Sequence, residues 1–167
     1  GNGDILSVDG AEHLGISGLT FEGGGNGLVL RNCGGRISGN AFLLQEKTGL
    51  FALDSKGLEI SGNHVHDIGN NGIQVWTSEK REDGTLVINN RVERISAKAG
   101  GSGQNGNGIN IYKASQVMVA NNRIADCFFS AIRNNAGDNC QILGNNISRT
   151  GEVAIYVEFA FEGVVVS

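Results

Sequence analysis

The hexapeptide ISGNHV at residues 60–65 returns as ISGNAF at 37–42, VINNRV at 87–92, VANNRI at 119–124 and ILGNNI at 142–147. Each copy reads aliphatic, any residue, small or Asn, Asn, any residue, apolar, and a weaker copy, ISGLTF, begins at residue 16. The shared Asn falls at Asn40, Asn63, Asn90, Asn122 and Asn145, at intervals of 23, 27, 32 and 23. A second motif follows each Asn by about ten residues once insertions are discounted, GLFAL (49–53), GIQVW (72–76), GINIY (108–112), SAIRN (130–134) and VAIYV (153–157), and a further copy, GLVL (27–30), follows the weaker ISGLTF. The two long intervals contain insertions, about four residues in TSEKREDG (77–84) and about nine within SAKAGGSGQN (96–105). Without them every unit is close to 23 residues. The ends fit the same spacing, Asp4-Ile5-Leu6 lying 23 residues before Gly27-Leu28-Val29 and Val165 lying 23 after Ile142. Self-similarity at such a period marks a stacked solenoid. The apolar residues alternate with period 2, which makes the units strands rather than helices.

A unit of two or three short strands joined by Gly and Asn turns is one coil of a parallel β-helix. Each strand then pairs with its equivalent in the next coil, about 4.8 Å away. A 23-residue coil fits the right-handed form, and the shorter hexapeptide of the left-handed form is missing. The predicted fold is an all-β, single-stranded, right-handed parallel β-helix of about six coils, with residues 1–167 as one domain. The repeated Asn is expected to form a hydrogen-bonded column, as Asn ladders do in cross-β stacks. Four residues later stand Asp67, Arg94, Asp126 and Arg149, predicted to form an alternating charge column.

Composition agrees. Glycine supplies 27 of 167 residues and proline none, which suits turns that need positive φ. A net charge of −4 with no basic run gives no electrostatic case for nucleic acid. The longest apolar runs are about five residues, against the ~20 of a membrane helix, so no membrane span is expected. Cys33, Cys127 and Cys140 read as small core residues; a Cys127–Cys140 disulfide is the alternative.

Four segments carry a resemblance: NNGIQVWTSEKREDGTLVINNRV, GGSGQNGNGINIY, CFFSAIRNN and GEVAIYVEFAFEGVVV. Together they resemble the repeat region of twin-arginine-translocated repeat proteins of alphaproteobacteria, grouped with right-handed parallel β-helices. The resemblance spans most of residues 58–167, more weakly before. It implies export to the periplasm or beyond and supplies neither a reaction nor a mapped site. The chain then reads as an interior piece of a longer exported protein whose next coil continues the Asn ladder.

The register sorts inward from outward side chains. Ile73 and Val75, Ile109 and Ile111, and Ile155 and Val157 are predicted inward. Two outward columns remain: Val29, Phe51, Gln74, Asn110, Arg133, Tyr156, and Arg31, Leu53, Trp76, Tyr112, Asn135, Glu158. Early in the chain they are apolar (Val29, Phe51, Leu53), a patch for a protein partner or cap. Later they hold amides, aromatics, an arginine and a glutamate. The two insertions are predicted to wall this face into a groove, as solenoid insertions do at coil corners.

Aromatic rings, amides and an arginine suit a sugar chain, specifically an acidic polysaccharide whose carboxylate Arg133 would pair. Trp76, Tyr112, Gln74, Asn110 and Asn135 are the predicted binding residues, and Arg133, Tyr156 and Glu158 the predicted catalytic ones. Only Glu158 is a carboxylate on this face, so chemistry of lyase or epimerase type is favoured over hydrolysis, which needs two. The competing function is a non-catalytic scaffold. On another face, His66 shares a column with Glu93, a base with its orienter or simply surface. No third ligand aligns there, so no metal is assigned, and no cofactor is expected.

Overall fold

The computed structural model describes residues 1–167 and contains twenty strands in three parallel sheets. The first sheet stacks Leu6–Asp9, Leu28–Arg31, Thr48–Leu53, Asn71–Glu82, Asn107–Ser115, Ile132–Asn135 and Ile155–Glu158. The second runs from Leu14–Ser17 to Val164–Val166 in seven strands, and the third from Thr20–Glu22 to Asn146–Thr150 in six. The chain is therefore a right-handed parallel β-solenoid of about seven turns, six of them complete and a seventh with two strands. No helix is long and apolar enough to cross a membrane.

The coils lie in register. Ile73 pairs with Leu50 and Ile109, Val75 with Ala52 and Ile111, and Trp76 with Leu53 and Tyr112. Period-2 alternation places Ile73, Val75, Ile109 and Ile111 in the core, fully buried. Phe21 and Phe42 stack on successive coils at 4.8 Å and 6°. Ile155 and Val157, both predicted inward, lie on the terminal coil, where only one neighbouring coil covers them, so Ile155 is half-buried and Val157 is exposed. The end spacings differ from expectation by one residue: Leu6 pairs with Leu28, and Ile142 with Val166. A one-residue slip exchanges the inward and outward sets, so the faces of the two end coils follow the observed pairing.

The Asn column is continuous. Asn40, Asn63, Asn90 and Asn122 each donate from both the backbone N and Nδ2 to Oδ1 of the next rung, at 2.9–3.1 Å. Each Nδ2 also reaches a main-chain oxygen of the preceding coil, as Asn90 does to Ile60 at 2.9 Å. A second polar stack, unread in the sequence, lines the edge of the first sheet where its strands begin. Asn26 Oδ1 accepts from the Thr48 amide, Asn71 Oδ1 from Asn107, and Asn107 Oδ1 from Ser130. Its only signature is a polar residue followed by Gly or Ala at the start of the five middle strands, at Asn26, Thr48, Asn71, Asn107 and Ser130.

Asp67, Arg94, Asp126 and Arg149 all have left-handed backbone, φ 53–57°, and close into two bidentate pairs, Asp67–Arg94 and Asp126–Arg149. Hydrogen bonds from Arg94 and His66 hold Asp67 at about 2, against an ordinary 3.8. Burial raises Glu93, but bonds from His64, Arg91 and Arg94 outweigh it and bring the carboxyl from 4.5 to about 2. The unfolded chain therefore binds more protons than the folded one between the ordinary values and about 2. Stability present above about pH 4.5 is lost as pH falls toward about 2. Asp54, Asp126 and Asp138 are lowered too and add to this; Asp83, raised by burial, opposes it. The urea midpoint is expected to drop across this window, less steeply in Arg94→Gln; a flat profile would contradict the pairing.

All three cysteines are free and buried, so the core reading holds and the disulfide does not form. Burial pushes the Cys127 thiol to about 12 and that of Cys140 to about 11.

Candidate functional site

The middle strands of the first sheet, Asn71–Glu82, Asn107–Ser115 and Ile132–Asn135, set the outward columns side by side. Trp76, Tyr112 and Asn135 align in one, and Gln74, Asn110 and Arg133 in the other. Over them lies a cleft of about 300 Å³ lined by Trp76, Gln104, Asn110, Tyr112, Arg133 and Asn135. Five of these six are predicted site residues. The sixth, Gln104, comes from the nine-residue insertion. Nothing in the repeat could assign it, because a loop outside the periodicity carries no register.

The loop is fastened from below. The Gln104 carbonyl accepts from Asn110 Nδ2 at 3.1 Å and from Asn71 Nδ2 at 3.2 Å, and Asn107 Nδ2 reaches the Gly103 carbonyl at 2.8 Å. The exposed Gln104 side chain turns back on its own loop, its Oε1 accepting from the Ser102 amide at 3.0 Å. The aromatic floor is a run of rings. Trp76 meets Phe51 edge-on at 5.4 Å and Tyr112 at 5.3 Å with a 58° tilt. At the far side, Glu158 Oε1 accepts from Arg133 Nε at 3.0 Å, from Arg133 Nη2 and from Asn135 Nδ2 at 2.8 Å. The Arg133 guanidinium also stands 6.0 Å from the centre of the Tyr156 ring.

Several expectations change. Gln74 is buried, and its Oε1 accepts from Thr48 Oγ1 at 2.6 Å, so it braces two coils and does not line the cleft. Asn110 lines the cleft but is only 3% exposed, and its Nδ2 is committed to the loop. Tyr156 and Glu158 lie one coil beyond; they touch the cleft only through Arg133 and Asn135. The shorter insertion does not wall the cleft. It bulges between Trp76 and Arg81, and its Lys80 pairs with Asp138 beside Ser115 and Gln116 at another corner. The apolar patch also shrinks: Val29, in register between Ser7 and Phe51, is fully buried, while Phe51 and Leu53 are half-buried.

The histidines pair differently from expectation. His66 is opposite Glu93 in register, yet His64 Nε2 meets Glu93 Oε1 at 3.0 Å while His66 Nδ1 meets Asp67 Oδ2 at 2.6 Å. Opposed Cα atoms fix neighbours, but long side chains also reach the diagonal position. A larger groove, about 940 Å³, runs beside the left-handed column over Asp67, Arg94, Asp126, Arg149 and Phe128. Its floor charges are already joined in bidentate pairs, which leaves little to select a ligand.

A family model described as a right-handed β-helix region matches residues 4–167. A comparison with curated proteins finds no match.

Proposed function

We infer the function from one premise: the chain belongs to the right-handed β-helix family, and its periodic wall is interrupted by one loop-walled cleft. We propose that this cleft binds a polysaccharide. The observation that carries the reading is the convergence of two tilted aromatic rings with amide and guanidinium groups in about 300 Å³. Rings cover the apolar C–H faces of a sugar, and polar side chains at the rim meet its hydroxyls.

Lyase- or epimerase-type chemistry is favoured by a cation free to neutralise the substrate carboxylate. Here Glu158 already engages Arg133, so the activity proposed is binding rather than turnover. The scaffold reading draws on the apolar patch, which the burial of Val29 reduces to two half-buried side chains. The resemblance to twin-arginine-translocated proteins supports a periplasmic or extracellular address, which fractionation of expressing cells would check.

Combined Trp76→Ala and Arg133→Ala is expected to weaken glycan binding by at least about thirtyfold, since aromatic and Arg anchors dominate such sites. Glycan-array screening followed by calorimetry measures it. Undiminished affinity in a variant with unchanged circular dichroism would remove the cleft from the function.

A further inference from the structure

We infer that the cleft accepts chains of neutral hexoses and rejects chains of hexuronates, with Glu158 as the residue that decides; this rests on the saccharide reading above. Arg133 is the one cation lining the cleft. Its Nε and Nη2 both bond Glu158 Oε1, which Asn135 also holds. The two side chains are only 15% and 18% exposed, so solvent screens the pair weakly, and its charges sum to zero. Lys113, beside Tyr112, does not line the cleft. Its Nζ sits 5.3 Å from the Tyr112 ring centre and donates to the Ser78 carbonyl at 3.1 Å.

A uronate carboxylate approaching Arg133 has two options. It can displace Glu158, leaving a largely buried carboxylate with Asn135 as its remaining donor, or it can lie beside Glu158 with like charges close together. Both are unfavourable, because breaking a desolvated ion pair strands a charge. A neutral sugar hydroxyl both donates and accepts, so it faces neither problem. Arg133 Nη1 donates to no group of the chain, and Glu158 Oε2 accepts from none. The pair therefore keeps an open donor and an open acceptor for hydroxyl groups. The expectation of an acidic polysaccharide reverses here. Register alone sets Tyr156, not a carboxylate, opposite Arg133, whereas Glu158 of the next coil reaches it diagonally.

Calorimetric titration of the 167-residue chain with soluble oligomers of neutral hexoses and of hexuronates tests this. The wild type is expected to bind neutral oligomers about tenfold more tightly or better, with little salt dependence. Glu158→Gln is expected to raise hexuronate affinity about tenfold and make it salt-sensitive. A wild-type preference for hexuronates, or an unchanged ratio in Glu158→Gln, would overturn the inference while leaving the saccharide site intact. Absence of binding to every oligomer would overturn the saccharide reading itself. Should the variant misfold, the wild-type ratio and its response to salt still decide.

Discussion

Asn90→Ala is expected to lower folding stability by about 3–5 kcal/mol, because it orphans several buried groups at once and each costs ~1–3 kcal/mol. Asn90 is 2% exposed. Its Oδ1 accepts from the Asn63 backbone N at 2.9 Å and Asn63 Nδ2 at 3.0 Å, and its Nδ2 donates to Ile60 O and Asn122 Oδ1. Alanine keeps the backbone bond to Asn122 and loses the rest. It leaves the Asn63 amide without its acceptor in a turn that water does not reach. Asn145→Ala, at the half-exposed last rung, is expected to cost less, about 2 kcal/mol, because it takes the acceptor from the Asn122 N and Nδ2 but breaks no bond to a further rung. Equilibrium urea denaturation of the two variants makes the comparison. If they lose equal stability, the column is not the spine that its bonds describe.

Gly72→Ala is expected to cost about 2–3 kcal/mol through overpacking. A Cβ built on Gly72 would stand 2.5 Å from the Gly108 carbonyl oxygen and 2.8 Å from a Val92 methyl. The first is the backbone of the next coil, fixed by the sheet, and the second is fully buried core. Neither can yield without shifting the strand that carries Trp76. Gly84→Ala isolates the other way glycine matters. Gly84 has φ of 71° but nothing within 4 Å of a built Cβ, so the cost is the left-handed backbone alone, ~1–2 kcal/mol. The measurement is the urea midpoint for both, with tryptophan fluorescence as the local readout. Only the Gly72 variant should alter the emission of Trp76. A silent Gly72→Ala would mean that the coils are spaced more loosely than the contacts indicate.

The parts of the site differ in how readable they were. Trp76, Tyr112 and Asn135 belong to one outward column because each stands four residues after a small residue, Gly72, Gly108 and Ala131, so counting from the Asn ladder locates them. Gln74 obeys the same count and is nevertheless buried. Register says that a side chain points outward, but not that Thr48 will turn it against the neighbouring coil. Glu93 shows the same limit, since two histidines compete for carboxylates at nearly equal reach and the choice falls to rotamers. Gln104 was beyond reach altogether. Its position depends on how Asn71, Asn107 and Asn110 pull down a loop that no repeat describes.

What the amino-acid order determined is the winding: a 23-residue period with an Asn in each coil admits one stacking, and stacking converts sequence intervals into vertical neighbours. What only the tertiary structure decided is which neighbours hold hands across columns. Backbone spacing is set by a hydrogen-bond lattice common to every coil, whereas the pairing of Arg133 with Glu158 depends on side-chain length and competition. Periodicity carries the lattice and does not carry that choice.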